Sequence, residues 1–385
     1  MNKRVFFSFC ILISLCVTYS CSKKESEALE YQLIDIELEN NPIYLSSLLN
    51  GIKPILFETN ESSLVGEAPN LIFTKESIFI KSNSTIIQFD SEGKYINTIN
   101  KRGNGAGEYT AISDFFINEE LNRVEILDKR QKKVLYYNYN GEYIHDQQIG
   151  VWAIKIFRDS ENRLYIYSGY ERDEDNIFQF NVYEGEQNHS FSEIDRGKSE
   201  FLQISNRLNF FKSARDKILF FEPFNDTIYA LERDRLIPKF VLSYNGQNIP
   251  QSFYAKNKFS NVFDFFQELK KHNYVNSTYN VIETGNKLLF YCMKESKRYL
   301  VVYDKIKKKA FSFDRIIDDV FSNGVELPFQ DGEFILFAQD NRVLFLIHPS
   351  WFINNSERII VEDFKVILNK LNEEDNPVGL FGYVD

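Results

Sequence analysis

The sequence predicts an all-β fold, a six-bladed β-propeller with short helical insertions. Three observations carry that expectation. Aromatic residues are abundant, with 36 Phe and 22 Tyr against 17 Gly and 9 Pro, and such side chains suit a pleated, half-buried surface. A pair of strands joined by a polar turn recurs at roughly 35–50 residues, the period of a radial or stacked repeat. Beyond the N-terminal leader, no apolar segment approaches the length needed to cross a ~30 Å hydrocarbon core.

The leader comes first. Asn2, Lys3 and Arg4 form a basic start, and Val5 to Val17 (VFFSFCILISLCV) is an apolar run of 13 residues. That run is too short to span a bilayer as a helix and suits the core of an export signal. Thr18-Tyr19-Ser20-Cys21 follows. It resembles a lipobox, in which a small residue precedes the cysteine to be acylated, with Thr18 where Leu is usual. Residues 1–20 are therefore expected to be a lipoprotein signal peptide and Cys21 the lipid attachment point. The alternative cysteine, Cys16, follows the bulky Leu15, which does not suit cleavage. Residues 21–30 (CSKKESEALE) form a polar tether without apolar periodicity. The attached chains contribute ~0.8 kcal/mol per buried CH₂, so two or three of them hold a protein on its membrane.

Residues 31–385 are expected to form the propeller. The first clear unit runs Ile78–Lys81, Thr85–Asp90, a turn at Ser91-Glu92-Gly93-Lys94, then Tyr95–Ile99. The second runs Arg123–Asp128, Lys133–Tyr137, a turn at Asn140-Gly141-Glu142, then Tyr143-Ile144. Superimposed, Asp90 matches Asn138 and Gly93 matches Gly141, and a glycine there supplies the positive φ that the hairpin needs. Weaker units follow around Leu164–Tyr167 and Ile177–Val182, around Lys217–Phe221 and Asp226–Leu231, and around Lys287–Tyr291 and Arg298–Asp304. A sixth begins at Glu333–Phe337 and includes Arg342–Ile347. Six such sheets bury their faces by packing around an axis. Lys53–Phe57 and Tyr31–Leu38 are the candidate N-terminal strands that complete the ring.

Three stretches break the strand pattern. Asn257 to His272 carries Phe259, Val262, Phe263, Phe266 and Leu269 at helical spacing, which predicts an amphipathic helix between the fourth and fifth units. Arg315 to Phe321 reads as a short helical turn. Val361, Phe364, Leu368 and Leu371 predict a further helix near the C-terminus. Packing on the propeller is the expected role of each.

Charge and side-chain chemistry narrow the function. The full chain has a formal net charge of −10, and removal of the leader takes away two further positive charges, Lys3 and Arg4. Such an acidic surface repels nucleic acid, whose binding rests on phosphate neutralisation. Cys21 and Cys292 alone remain after the leader, so no disulfide framework is expected. Cys292, between Tyr291 and Met293, reads as a small core hydrophobe. His145, His189, His272 and His348 show no metal-ligand spacing, and the acidic runs Glu171–Asp175 and Asp318-Asp319 lack the alternation of a calcium loop. No G-x-S-x-G elbow is present. No cofactor is predicted.

The most conspicuous local feature is Arg102-Gly103-Asn104-Gly105-Ala106-Gly107-Glu108-Tyr109. A phosphate cradle needs a helix after the glycines, and the residues that follow, Ile112–Ile117, read as a strand. The loop is therefore read as a tight crossover between blades, with Glu108 and Tyr109 bonding back to the turn or to Arg102. Arg102, Glu108 and Tyr109 are also the candidate ligand contacts, because crossovers of this kind line the mouth of a propeller channel.

Four segments resemble the six-bladed β-propeller lipoproteins of Bacteroidetes, which are similar to NHL-repeat propellers. Leu56–Gly66 looks like that family's first strand and turn. Arg102–Tyr109 looks like its G-x-G-P-G-E-Y loop, with Ala106 in place of Pro. The hairpins at Phe89–Lys94 and Tyr137–Glu142 match its hairpins. Asp375-Asn376-Pro377-Val378 looks like the start of its C-terminal strand. The resemblance implies a fold and a location in the cell envelope, lipid-anchored at the outer membrane, rather than an activity. A binding or protein-interaction module for a peptide, glycan or envelope protein is the leading expectation; Trp152 and Trp351 are candidate anchors for it, with core packing the favoured role of each. The alternative is a metal-dependent hydrolase, lactonase-like, with its site in the central channel.

Overall fold

The computed structural model describes residues 31–66, 70–172, 176–202, 210–212, 217–222, 224–256, 258–331 and 335–385. The expected leader, Cys21 and the tether lie outside the described residues.

The fold is all-β and its sheets form a propeller. The first sheet contains Asn70–Phe73, Ser77–Ser82, Thr85–Asp90 and Tyr95–Ile99. The second contains Asp114–Asn118, Arg123–Asp128, Lys133–Asn138 and Tyr143–Gln148, and the third Lys155–Arg158, Leu164–Tyr167, Phe178–Glu184 and Gln187–Glu193. The fourth runs Phe210–Lys212, Ile218–Phe220, Thr227–Glu232 and Arg235–Ser243; the fifth Val275–Glu283, Lys287–Lys294, Lys297–Asp304 and Lys309–Phe313. The sixth joins Ile335–Gln339, Arg342–Ile347 and Val378–Tyr383 to Asn50–Leu56 from the N-terminal part of the chain. Each of these sheets is antiparallel between sequence neighbours. In the first two sheets the repeat read from sequence is thus the three outer strands, and each sheet has in addition an inner strand before them, Asn70–Phe73 and Asp114–Asn118.

Among the described residues the sheets number seven, not six. The additional sheet pairs Pro42–Tyr44, in parallel, with Arg315–Asp318, which in turn pairs with Val325–Glu326. It has no counterpart in the repeat because one of its three strands is borrowed from far away in sequence. Arg315–Asp318 is therefore a strand, where the sequence predicts a helical turn. Its alternating Ile316 and Asp318 are buried, and Ile316 joins the core that packs the fifth sheet against the sixth.

Both candidate closing strands pair, in different places. Asn50–Leu56 completes the sixth sheet, with Ile55 opposite Gly379 and Lys53 opposite Phe381. Gln32–Asp35 instead lies parallel to Phe240–Ser243 as a fifth, outer strand of the fourth sheet, so it does not close the ring.

The helices differ in detail from expectation. In place of one long helix there are two short ones, Gln251–Lys256 and Val262–Leu269. Asn261 caps the second, its side chain accepting from the Asp264 N–H at 3.0 Å. Phe265 and Leu269 of that helix are buried with Phe253 and Phe259, whereas Val262, Phe263 and Phe266 are exposed. The C-terminal helix is Glu362–Leu368, and its Phe364 and Leu368 pack on the core as expected. No helix among the described residues is long and apolar enough to cross a membrane.

Candidate functional site

In an antiparallel sheet, the second strand ends where the first begins. The starts of the inner strands and the ends of their neighbours therefore gather at one mouth of the central channel. Asn70, Asp114 and Lys155 are the first residues of the inner strands of sheets one, two and three. Asp114 joins them. Its carboxylate accepts from Lys155 Nζ at 3.2 Å and from the Ile156 N–H at 3.1 Å, and Asn70 Nδ2 lies 3.4 Å away. Lys155 and Asp114 are both buried.

Lys81, near the end of the second strand of sheet one, is half-buried beside this pair. Burial pushes its ammonium pKa down, attraction to Asp114 pulls it up, and repulsion from Lys155 pushes it down again; the net shift is downward. No hydrogen bond or close ion pair of its Nζ occurs among the described residues. Two ammonium groups thus face one carboxylate.

The same mouth continues across sheets three and four. Glu222 is buried and accepts from Tyr167 Oη at 3.1 Å, Tyr170 Oη at 3.0 Å and Gln179 Nε2 at 2.6 Å. Desolvation, then the Glu222 charge, holds both phenols well above their ordinary pKa, so they remain donors. This arrangement locks a carboxylate in place through neutral donors.

The glycine-rich crossover lies at this end, between the last strand of sheet one and Asp114. It is tied to itself. Glu108 Oε2 accepts from the Gly105 N–H at 2.8 Å, and Arg102 forms a parallel bridge with Tyr109. A Cβ on Gly103 would sit 1.9 Å from Glu108 Oε2. Tyr109 is buried; its hydroxyl donates toward the Ser84 and Ile99 carbonyls at 2.8 and 3.2 Å. Of the three candidate contacts, Arg102 is exposed, Glu108 is half-buried and Tyr109 is enclosed. The expected back-bonding of the crossover is present in these contacts.

Other singled-out residues have local partners. Trp152 is partly exposed under Lys129, whose Nζ sits 5.1 Å from the ring centroid, and Lys129 also pairs with Glu171. Trp351 packs edge-on against Phe352 at 4.9 Å. His348 caps the Pro349–Asn354 helix, and His145 stacks on Tyr136. Cys292 is buried and desolvation raises its thiol to about 12, which leaves it inert. Among the described residues, no group of three or more His, Cys, Asp or Glu is placed to hold a metal ion.

The sequence reading missed Lys81, Asp114, Lys155 and Glu222. A signal existed: Asn70, Asp114 and Lys155 recur at nearly the repeat period. It becomes legible only once the innermost strand of each sheet is known.

The fold and mouth define a β-propeller whose channel entrance is lined by buried and half-buried charges. Within that class, the chain belongs to the family described as domain of unknown function DUF4934, which matches residues 32–382. A protein of Bacteroides fragilis, described as exported, shares the fold with a TM-score of 0.72 and 20% identity, over 92% of this chain and 100% of its own. A member of the DUF4221 family from Bacteroides vulgatus is similar with a TM-score of 0.53 and 9% identity, over 86% of this chain and 97% of its own. No curated protein matches.

Proposed function

We propose that this protein is an exported, lipid-anchored module of the cell envelope, held at Cys21, whose propeller binds a partner through the channel mouth. The observation that carries the reading is the convergence of Asn70, Lys81, Asp114 and Lys155 from three consecutive sheets, with two ammonium groups against one carboxylate. Arg102, exposed on the neighbouring crossover, adds positive charge at the same end of an acidic protein. The positive excess lies at sheets one to three, whereas Glu222 stands across the mouth at sheet four, so the favoured partner presents its acidic groups, as an acidic peptide or glycan can, to the Lys81 and Arg102 side. The likeness to an exported Bacteroides protein supports the location.

The test is a binding screen of the mature chain against envelope peptides, glycans and co-purified proteins. The expected result is an acidic binder whose affinity falls on the order of tenfold, about 1.4 kcal/mol, in Lys81→Glu, with the melting temperature maintained. A screen that yields neutral binders indifferent to Lys81 would overturn the assignment of the mouth. A stoichiometric metal in the purified protein, with a melting temperature lowered by EDTA, would favour the hydrolase alternative instead.

A further inference from the structure

We propose that the fourth sheet is the membrane-facing side of the propeller, and that the Val262–Leu269 helix seats Val262, Phe263 and Phe266 among the lipid headgroups beside the anchor. The inference rests on the lipid-anchored reading above.

A surface helix ordinarily turns its apolar stripe inward. This helix buries Phe265 and Leu269 and still carries a second apolar face: Phe263 is 65% exposed, Phe266 and Val262 37% each. Phe266 stays near the body, 5.7 Å from Phe224 of the fourth sheet's own connection, so the face is held in place. Tyr254, on the preceding helix, donates to the Phe224 carbonyl at 3.2 Å and ties the pair of helices to a connection of the fourth sheet, while Tyr170, Ile194, Phe201 and Leu202, which follow strands of the third, complete the cluster beneath them.

Two further observations select a lipid surface as the occupant. The first is where the tether ends. Gln32–Asp35, the first described strand, is the outer strand of this same fourth sheet, pairing with the strand that leads into the two helices. Tyr31 and Leu33 there are also exposed. The eleven residues Cys21 to Tyr31 reach at most ~36–40 Å when extended, so an acylated Cys21 holds this sheet close to the bilayer. The second is local charge. Asp264 is engaged by Asn261 and by the Ser260 N–H, and Glu268 is paired with Lys271 at 2.6 Å and lies 3.6 Å from His272. Asp264 keeps its charge, but exposed Lys258 and Lys270 outnumber it by one around the helix, a slight positive excess on an acidic protein that suits anionic headgroups. An apolar face with flanking lysines and phenylalanines is the composition of an interfacial helix.

The test uses the lipidated protein and a Cys21→Ser form that begins at residue 21, without the apolar leader, each sedimented with vesicles of phosphatidylethanolamine and phosphatidylglycerol. The Cys21→Ser protein is expected to sediment with vesicles, and Phe263→Ser with Phe266→Ser in that background to lower partitioning on the order of tenfold or more. An unchanged melting temperature would show that Phe265 and Leu269 still hold the helix. A Cys21→Ser protein that ignores vesicles, or a dimer in solution dissolved by the same two substitutions, would overturn the proposal. Lipid attachment is read separately, by metabolic labelling with a fatty acid. Failure of labelling overturns the anchor without touching the vesicle result, and the reverse holds too.

Discussion

At the scale of single residues, the two hairpins that reveal the repeat are chemically equivalent but not equally tight. Gly93 and Gly141 both have positive φ, +88° and +78°, and both close the same turn onto Asp90 and Asn138. A Cβ at Gly93 would lie 2.3 Å from the Leu56 carbonyl oxygen, which is backbone and cannot yield; at Gly141 the nearest atom is an Ile99 side-chain carbon at 3.3 Å. Gly93→Ala is expected to cost more stability than Gly141→Ala, with about 1 kcal/mol of backbone strain common to both, and paired thermal melts read the difference. Asn376 is a second such point. It is buried, its Oδ1 accepts from the Val65 N–H at 2.8 Å, and its Nδ2 donates to the Glu58 and Ser63 carbonyls at 2.9 Å each. Asn376→Ala leaves these groups without partners, and a loss of roughly 2–4 kcal/mol is expected in denaturant titration. The sequence marked this residue only as the start of a terminal strand, because its partners lie more than 300 positions away.

At the scale of elements, what was legible tracks how local the cause is. The hairpins of the first two sheets are set by turn chemistry within a few residues, and their bounds match the reading closely. The sequence reads one helix over 257–272 between sheets four and five; the structure has two short helices there, and of the stripe read from spacing Phe259 and Leu269 are buried while Val262, Phe263 and Phe266 are exposed. Spacing puts Val262, Phe263 and Phe266 on an apolar stripe with Leu269, and only the position of Phe201, Phe224 and Phe253 decides that Phe265 and Leu269 are the covered side chains. Arg315–Asp318 is the clearer failure. RIIDDVF suits a helical turn locally, yet pairing with Pro42–Tyr44 draws it into a strand, an example of tertiary context overriding propensity. Loss of that pairing should be local: Ile316→Asp removes a fully buried side chain from the shared core, and proteolysis is expected to cut first within 315–327.

At the scale of the molecule, the sheets are joined by buried charges as well as by apolar cores. Glu125 of sheet two receives Arg158 of sheet three at 2.7 Å. Glu283 of sheet five lies between Lys239 of sheet four at 2.6 Å and Lys305 at 2.7 Å. Burial pushes Glu283 up, but hydrogen bonds and attraction from Lys239 and Lys305 outweigh it and leave its pKa below the ordinary 4.5. A folded-state pKa below the unfolded one contributes stability that is present above pH 4.5 and is lost as pH falls through the lower, folded value. Glu283→Gln is therefore expected to cost about 3 kcal/mol at neutral pH, and its melting temperature should converge on that of the parent as pH falls below 4. Ring closure is the other global property. Asn50–Leu56 is the last strand of the sixth sheet, so a chain starting at residue 58 is expected to lose cooperative melting, whereas one starting at residue 36, lacking only the outer strand of sheet four, should retain it.

By itself the sequence determined what short-range chemistry can encode: strand-rich composition, the repeat, the glycine turns, the self-bonded crossover at Arg102–Tyr109, and the strand at Lys53–Phe57 as a closing element. The tertiary structure decided the rest. It added a seventh sheet from a strand borrowed across the chain, turned the Val262–Leu269 helix to expose three apolar side chains, and brought Lys81, Asp114 and Lys155 together at the channel mouth. The reason is geometric. A propeller stacks sheets around an axis, so residues one repeat apart become neighbours only through packing, and no local pattern records which strand lies innermost.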